Sequence, residues 1–182
     1  MSVPATAYRL GAVEAVECDP RSAPYRDLVR VLDYWEQARG GRFAPRRTDL
    51  DPAALVEALP RIMLAEVLAD ALGDRLEFRY RLSGTGIADV HGQEMTGKGP
   101  RDLTPPAYGA MIHAHYCEAV RRRAPMLHVI VLDTFERSRS YARLLLPLSH
   151  DGQAVTTLMA VDSKEQDRPS LKEFFHSIRQ RG

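Results

Sequence analysis

The feature that most restricts the fold is a change of period in the last third of the chain. There "MLHVIVLDTF" (126–135), "SYARLLLPLS" (140–149) and "QAVTTLMAVD" (153–162) are rich in β-branched and large apolar residues. Only "ERSR" and "HDGQ" separate them, and Asp151-Gly152 is a strong hairpin signal. Connections this short join antiparallel neighbours, because a parallel pair needs a crossover of a dozen or more residues. The three runs therefore predict an antiparallel meander.

Earlier in the chain, Leu76, Phe78, Tyr80 and Leu82 alternate with Glu77, Arg79 and Arg81, the pattern of a half-buried strand. "RIMLAEVL" (61–68) is short, bounded by Pro60 and by the Gly73-Asp74 turn, and reads as the strand before it. Helical spacing appears elsewhere. Leu28, Val31, Leu32, Trp35 and Ala38 predict a helix over 24–39 that ends at Gly40-Gly41. Asp51 and Pro52 open a short helix that Pro60 stops. Tyr108, Ile112, Tyr116, Ala119 and Val120 form the inward stripe of a long helix over 105–123, closed by three arginines. Ser170 and Glu173 have capping-box spacing ahead of a final helix with Leu171, Phe174, Phe175 and Ile178 on its apolar side. The order of elements lacks the strand–helix alternation of a doubly wound sheet, so the fold class is α+β with one antiparallel sheet.

At 182 residues and 45% apolar composition, the chain suits one core. Its 25 basic and 24 acidic residues nearly cancel, which recommends neither nucleic acid nor an anionic membrane as a partner. The N-terminal "MSVPATAYRLGAVEA" lacks the charged start and apolar block of an export signal, so a cytoplasmic location is expected. Cys18 and Cys117 stand in no paired spacing and read as reduced thiols.

"HGQEMTGKGP" (91–100) spells Gly92-x-x-x-x-Gly97-Lys98, most of a phosphate-binding loop. A working loop needs a strand running into the glycines and a helix starting at the lysine with a Ser or Thr, and here Gly99-Pro100 follows. Gly84-x-Gly86 is likewise one glycine short of a dinucleotide fingerprint, with Asp89 in the third place. These glycines read as backbone freedom at a sharp exit from a strand.

The string "FRYRLSGTGIADVHGQEMTGKGPRDL", with "LDYWEQARGGRFAPRRTDLDPAALVEALPRIMLAEV" upstream, resembles a proteobacterial family of small stand-alone PAS domains over about residues 28 to 163. Gly86 departs from that pattern, where a larger residue is expected after the Gly-Thr pair. The resemblance implies a PAS fold: a five-stranded antiparallel sheet with helices packed across one face around a small pocket. It divides the chain into an N-terminal arm (1–23), the PAS domain with its N-terminal helices (24–163) and a C-terminal helix (164–182). The first 20 residues are read either as a flexible arm or as a strand added to the sheet. The implied function is a sensory or regulatory module that binds a small ligand, contacts a signalling protein in trans and is not an enzyme.

If a ligand binds, its pocket is expected from Tyr80, Leu82, Ile112, His115, Tyr116, Ile130, Leu145 and Met159, whose alternative role is plain core. Tyr25, Leu28, Leu32 and Trp35 on the first helix are the expected homodimer or partner contacts. The cofactor is left open. Haem would use His113 or His115 on the long helix. A flavin of the cysteine-adduct kind would need a cysteine in the short-helix segment, which has none. His113 and Cys117 share a helix face, but two ligands do not make a metal centre. Ser83 lacks the glycine of a nucleophile elbow, and no catalytic constellation is spelled out; the alternative is a small enzyme using His113 or His115 as base, or a ligand-free scaffold. Arg42 and Arg46 in "RFAPRRTDLDP" read as a proline-ordered loop whose arginines pair with nearby acids.

Overall fold

The computed structural model describes residues 13–21, 24–69, 75–133 and 138–164. The helix expected from Ser170 lies outside them. Six strands, β1 (Val13–Cys18), β2 (Ile62–Ala69), β3 (Leu76–Ser83), β4 (Met126–Asp133), β5 (Ser138–Leu148) and β6 (Thr157–Asp162), form one antiparallel sheet in the order β1-β4-β5-β6-β2-β3. Three α-helices accompany it: α1 (Arg26–Arg39), α2 (Thr85–His91) and α3 (Pro106–Arg122). The meander of the last third is β4-β5-β6, and its far side closes on β2 rather than on the next element in sequence.

The sheet has six strands, not five. The additional one is β1, which runs along β4 with Val13 opposite Leu132 and Cys18 opposite Leu127. Without it the outer edge of β4 would present unpaired backbone groups to solvent. Its half-buried Val13 and Ala15 pack onto the core on the α3 side. The sheet thus extends into the segment expected as an arm.

Both faces of the sheet are covered. Toward α2 and α3 lie Met63, Ala65, Phe78, Tyr80, Ile130, Leu145 and Leu158, packed on Ile87, Tyr108, Ile112 and Tyr116. Toward α1 lie Ile62, Leu64, Leu144, Leu146, Met159 and Val161, packed on Leu28, Leu32 and Trp35. The two cores interleave because successive residues of a strand point to opposite faces. α1 is fixed in place by Trp35, whose indole Nε1 donates to the Pro147 carbonyl at 2.8 Å.

Two local features shape the α3 side. A bulge in β3 sets Leu82 opposite Leu64 but Tyr80 opposite Ala65, leaving Arg81 as the extra residue. Leu64 and Ala65 face opposite ways, so Leu82 leaves the face that Tyr80 occupies. Beyond β3, Gly84 accepts no side chain, since a Cβ there would overlap the Pro60 and Leu59 carbonyl oxygens. After α2 the chain returns along the edge of β3. Gly92 ends the helix at φ +62°, Gly97 N donates to Tyr80 O and Tyr80 N donates to Lys98 O, both at 2.8 Å. The phosphate-loop spelling is therefore a strap along a sheet edge, with Lys98 Nζ bonded to Gln93 Oε1.

The remaining loops behave as their composition suggests. Asp51 accepts from Ala53 N at 2.9 Å and caps Pro52–Leu55, which is a 3-10 turn, and a second such turn, Leu59–Arg61, holds Pro60 just ahead of β2. In "RFAPRRTDLDP", Asp49 receives the Arg42 guanidinium at 2.7 Å and the Arg46 backbone N–H at 2.8 Å. Glu94 and Asp102 cap their own turns through Thr96 N and Gly99 N.

Candidate functional site

Between α3 and the sheet, the apolar layer surrounds a buried polar cluster. Arg143 on β5 and Asp162 on β6 are partners in the strand register. Parity places both on the α3 face, with Tyr141 and Leu145 on one strand and Leu158 and Ala160 on the other. Arg143 is 2% exposed and Asp162 5%. Arg143 Nε donates to one carboxylate oxygen at 2.6 Å and Nη2 to the other at 3.0 Å, a two-pronged pair. The guanidinium stands 5.3 Å from the centre of the Tyr141 ring.

Four tyrosines complete the cluster. The Tyr108 and Tyr141 hydroxyls bond each other at 2.5 Å. Tyr80 and Tyr116 meet edge to face at 6.3 Å, and Phe78 meets Tyr116 the same way at 5.3 Å. Burial, first, pushes all four phenol pKa values up, those of Tyr80 and Tyr141 furthest, so each hydroxyl stays protonated. Burial opposes the charge on Arg143. The Asp162 carboxylate and the Tyr141 and Tyr108 hydroxyls more than offset it, and the guanidinium stays charged. Among the described residues Arg143 Nη1 and the Tyr80 and Tyr116 hydroxyls find no hydrogen-bond partner.

Asp162 also reaches through the sheet. Its carbonyl accepts from Arg61 Nη1, and the same nitrogen pairs with the Asp27 carboxylate of α1 at 3.1 Å. Asp27 accepts in addition from Ser163 Oγ at 2.9 Å and from Lys164 N at 2.7 Å, where the chain leaves β6. One residue is therefore bonded to both layers, by its side chain toward α3 and by its backbone toward α1.

Of the expected pocket residues, Tyr80, Ile112, Tyr116, Ile130 and Leu145 come together in the core on the α3 side. Leu82 does not, because the bulge at Arg81 turns it to the other face, where it is 36% exposed. Met159 does not either: it lies between Leu158 and Ala160 and faces α1, opposite Leu64 and Leu146. His115 is half-buried and its ring lies flat on that of His128, 3.7 Å away. Burial, then the neighbouring His128, lowers the His115 pKa to about 3. Burial lowers that of His128 too. Leu28, Leu32 and Trp35 are each 2% exposed, since the second apolar face of the sheet consumes the stripe of α1. They are internal contacts, and Tyr25 is half-buried beside them.

His113 is engaged on both ring nitrogens, Nε2 with the Leu76 carbonyl at 3.0 Å and Nδ1 with Cys117 Sγ at 3.6 Å. Neither nitrogen is left for haem iron, and His115 lies flat against another ring. The described residues contain no group of three or more His, Cys, Asp or Glu placed to hold a metal ion. None of their helices is long and apolar enough to cross a membrane.

The Arg143–Asp162 pair is what sequence reasoning missed. A single arginine between Ala142 and Leu144, in a run otherwise apolar, was the available signal. Counting parity from Tyr141 to Leu145 would have turned it inward.

No curated protein matches the chain. Among solved structures it is similar to the PAS domain from Bordetella pertussis BvgS, at 15% identity and TM-score 0.47, over 70% of this chain and 93% of that one. It is similar also to an RNA-binding light-oxygen-voltage receptor, at 15% identity and TM-score 0.47, over 74% of this chain and 39% of that one. A family model described as PAS domain matches residues 25–169, which takes in α1 and every strand from β2 to β6: the chain belongs to the PAS domain family.

Proposed function

We propose that this PAS domain is a cytosolic sensory or regulatory module and not an enzyme. A small molecule binds between α3 and the sheet, and the change is passed in trans to a signalling protein. The observation that carries this reading is the bonded path from the tyrosine cluster through Arg143 and Asp162 to Arg61 and Asp27 on the opposite layer. A ligand that shifts the guanidinium acts on the Asp162 side chain, and the Asp162 carbonyl carries that displacement to α1 and to the exit of the chain at Lys164.

The outlet is the α1 side. A groove of about 270 Å³ lies there between Asp27, Arg30 and Tyr34 of α1 and the turn 54–58, with Val56 62% exposed on its rim. The proposed homodimer uses this rim, because the apolar stripe of α1 is already spent on the sheet. The test of the ligand reading is native mass spectrometry of the purified chain with an absorbance scan, followed by thermal shift against a metabolite panel. A retained mass or a stabilising compound is expected. Neither a retained mass nor a stabilising compound would remove the sensory reading.

A further inference from the structure

Three buried polar atoms on the α3 side lack partners, and all three can donate. Arg143 Nη1 carries two hydrogens that meet no acceptor, and the Tyr80 and Tyr116 hydroxyls each carry one. A buried donor without an acceptor costs free energy, so such a set points to a group brought from outside. The acceptor already present is taken, since both Asp162 oxygens receive Arg143. The surplus at this site is of donors.

We propose that the site takes a small monocarboxylic acid with an apolar body, its carboxylate held by Arg143 Nη1 and the Tyr80 and Tyr116 hydroxyls. The inference rests on the ligand-binding reading above and specifies its chemistry. A guanidinium can serve two carboxylates on different edges, and here the edge formed by Nε and Nη2 is used while Nη1 is not. The charge on Arg143 is already balanced by Asp162, so one further negative charge is the limit, and a phosphate or dicarboxylate exceeds it. The nearby imidazoles, His115 on α3 and His128 on β4, are neutral at pH 7 and add no cation. The other groups around the site, Phe78, Ile112, Ile130 and Leu145, are apolar. They suit an aromatic or short aliphatic body. Tyr116 meets the sheet only by ring edges, so the acid replaces ring contacts with hydrogen bonds.

The experiment uses the full chain with benzoate and its neutral counterpart benzyl alcohol, read by thermal shift and by amide chemical-shift titration. Benzoate is expected to bind at least about ten-fold more tightly than the alcohol, because a hydrogen bond to a charged group is worth more than one to a neutral group. Tyr80→Phe and Tyr116→Phe should each weaken benzoate by about ten-fold while leaving the free chain as stable as before or more so, since each removes an unpartnered hydroxyl. The proposal is overturned if the alcohol binds equally well, if the Phe variants bind benzoate unchanged, or if they destabilise the free chain, which would place the hydroxyls in the service of the fold. It is overturned too if benzoate does not bind. If a neutral molecule is then found retained on the native protein, the ligand-binding reading survives and only its chemistry fails.

Discussion

Replacing Arg143 by Met tests the centre of the molecule directly. The side chain is of similar length but uncharged, and it leaves the Asp162 carboxylate 5% exposed without the guanidinium that now holds it at 2.6 and 3.0 Å. Stranding one member of a buried ion pair costs about 3–5 kcal/mol. With a urea m-value of about 2 kcal/mol per molar for a domain of this size, the unfolding midpoint should fall by about 1.5–2.5 M. The loss should also depend on pH in one direction. In the variant, burial without a cation raises the folded pKa of Asp162 above the unfolded value of about 3.9. Below that value the acid is protonated in both states and the deficit is absent; it grows as pH rises and levels off above the folded pKa. The variant should therefore approach the parent between pH 7 and pH 4. The double variant R143M/D162L, with no charge left to strand, should recover most of the midpoint. Urea titrations followed by far-ultraviolet circular dichroism at three pH values measure all of this. A deficit below about 1 kcal/mol, or one constant from pH 7 to pH 4, would show that the pair does not hold the carboxylate as described.

The stacked imidazoles give an opposite pH signature. His115 is lowered to about 3 in the fold and His128 is lowered too, so both contribute stability above the unfolded histidine value of about 6.5 and lose it as pH falls through that value. His115→Phe should lessen the fall of the urea midpoint between pH 6.5 and 4.5, and an unchanged slope would refute the assignment. For the proposed dimer, light scattering should give twice the monomer mass at high concentration and Val56→Glu should return it to one; a dimer indifferent to that change would move the contact elsewhere.

Much of the fold could be read from residue order because it rests on period. Asp151-Gly152 and the three apolar runs fix the meander, and Gly92 through Pro100 exclude a phosphate loop for reasons visible in the letters themselves. The site was legible only in part, and each miss has a local cause. Strict alternation along β3 carries Leu82 inward with Tyr80, but a bulge adds Arg81 and reverses the parity, and no glycine marks it. Met159 was assigned inward from its chemistry, although its neighbours Leu158 and Ala160 face α3 and it cannot. Trp35 and Leu32 were given to an outside partner because only one face of the sheet was counted as covered. "RLLLPL" already argues otherwise, since a strand with consecutive leucines has no solvent side. Arg143 escaped because a charged letter in a strand is read as surface until its partner across the register, Asp162, is known.

Interleaving of the two layers has a mechanical consequence. Leu144 and Leu145, or Met159 and Ala160, are bonded neighbours in the chain yet belong to different cores. Peeling away α1 strips support from the same backbone that α3 leans on, so neither half can melt by itself. Amide protons of β5 and β6 should exchange only when the whole molecule opens, with one common free energy, while the strap along β3 exchanges sooner.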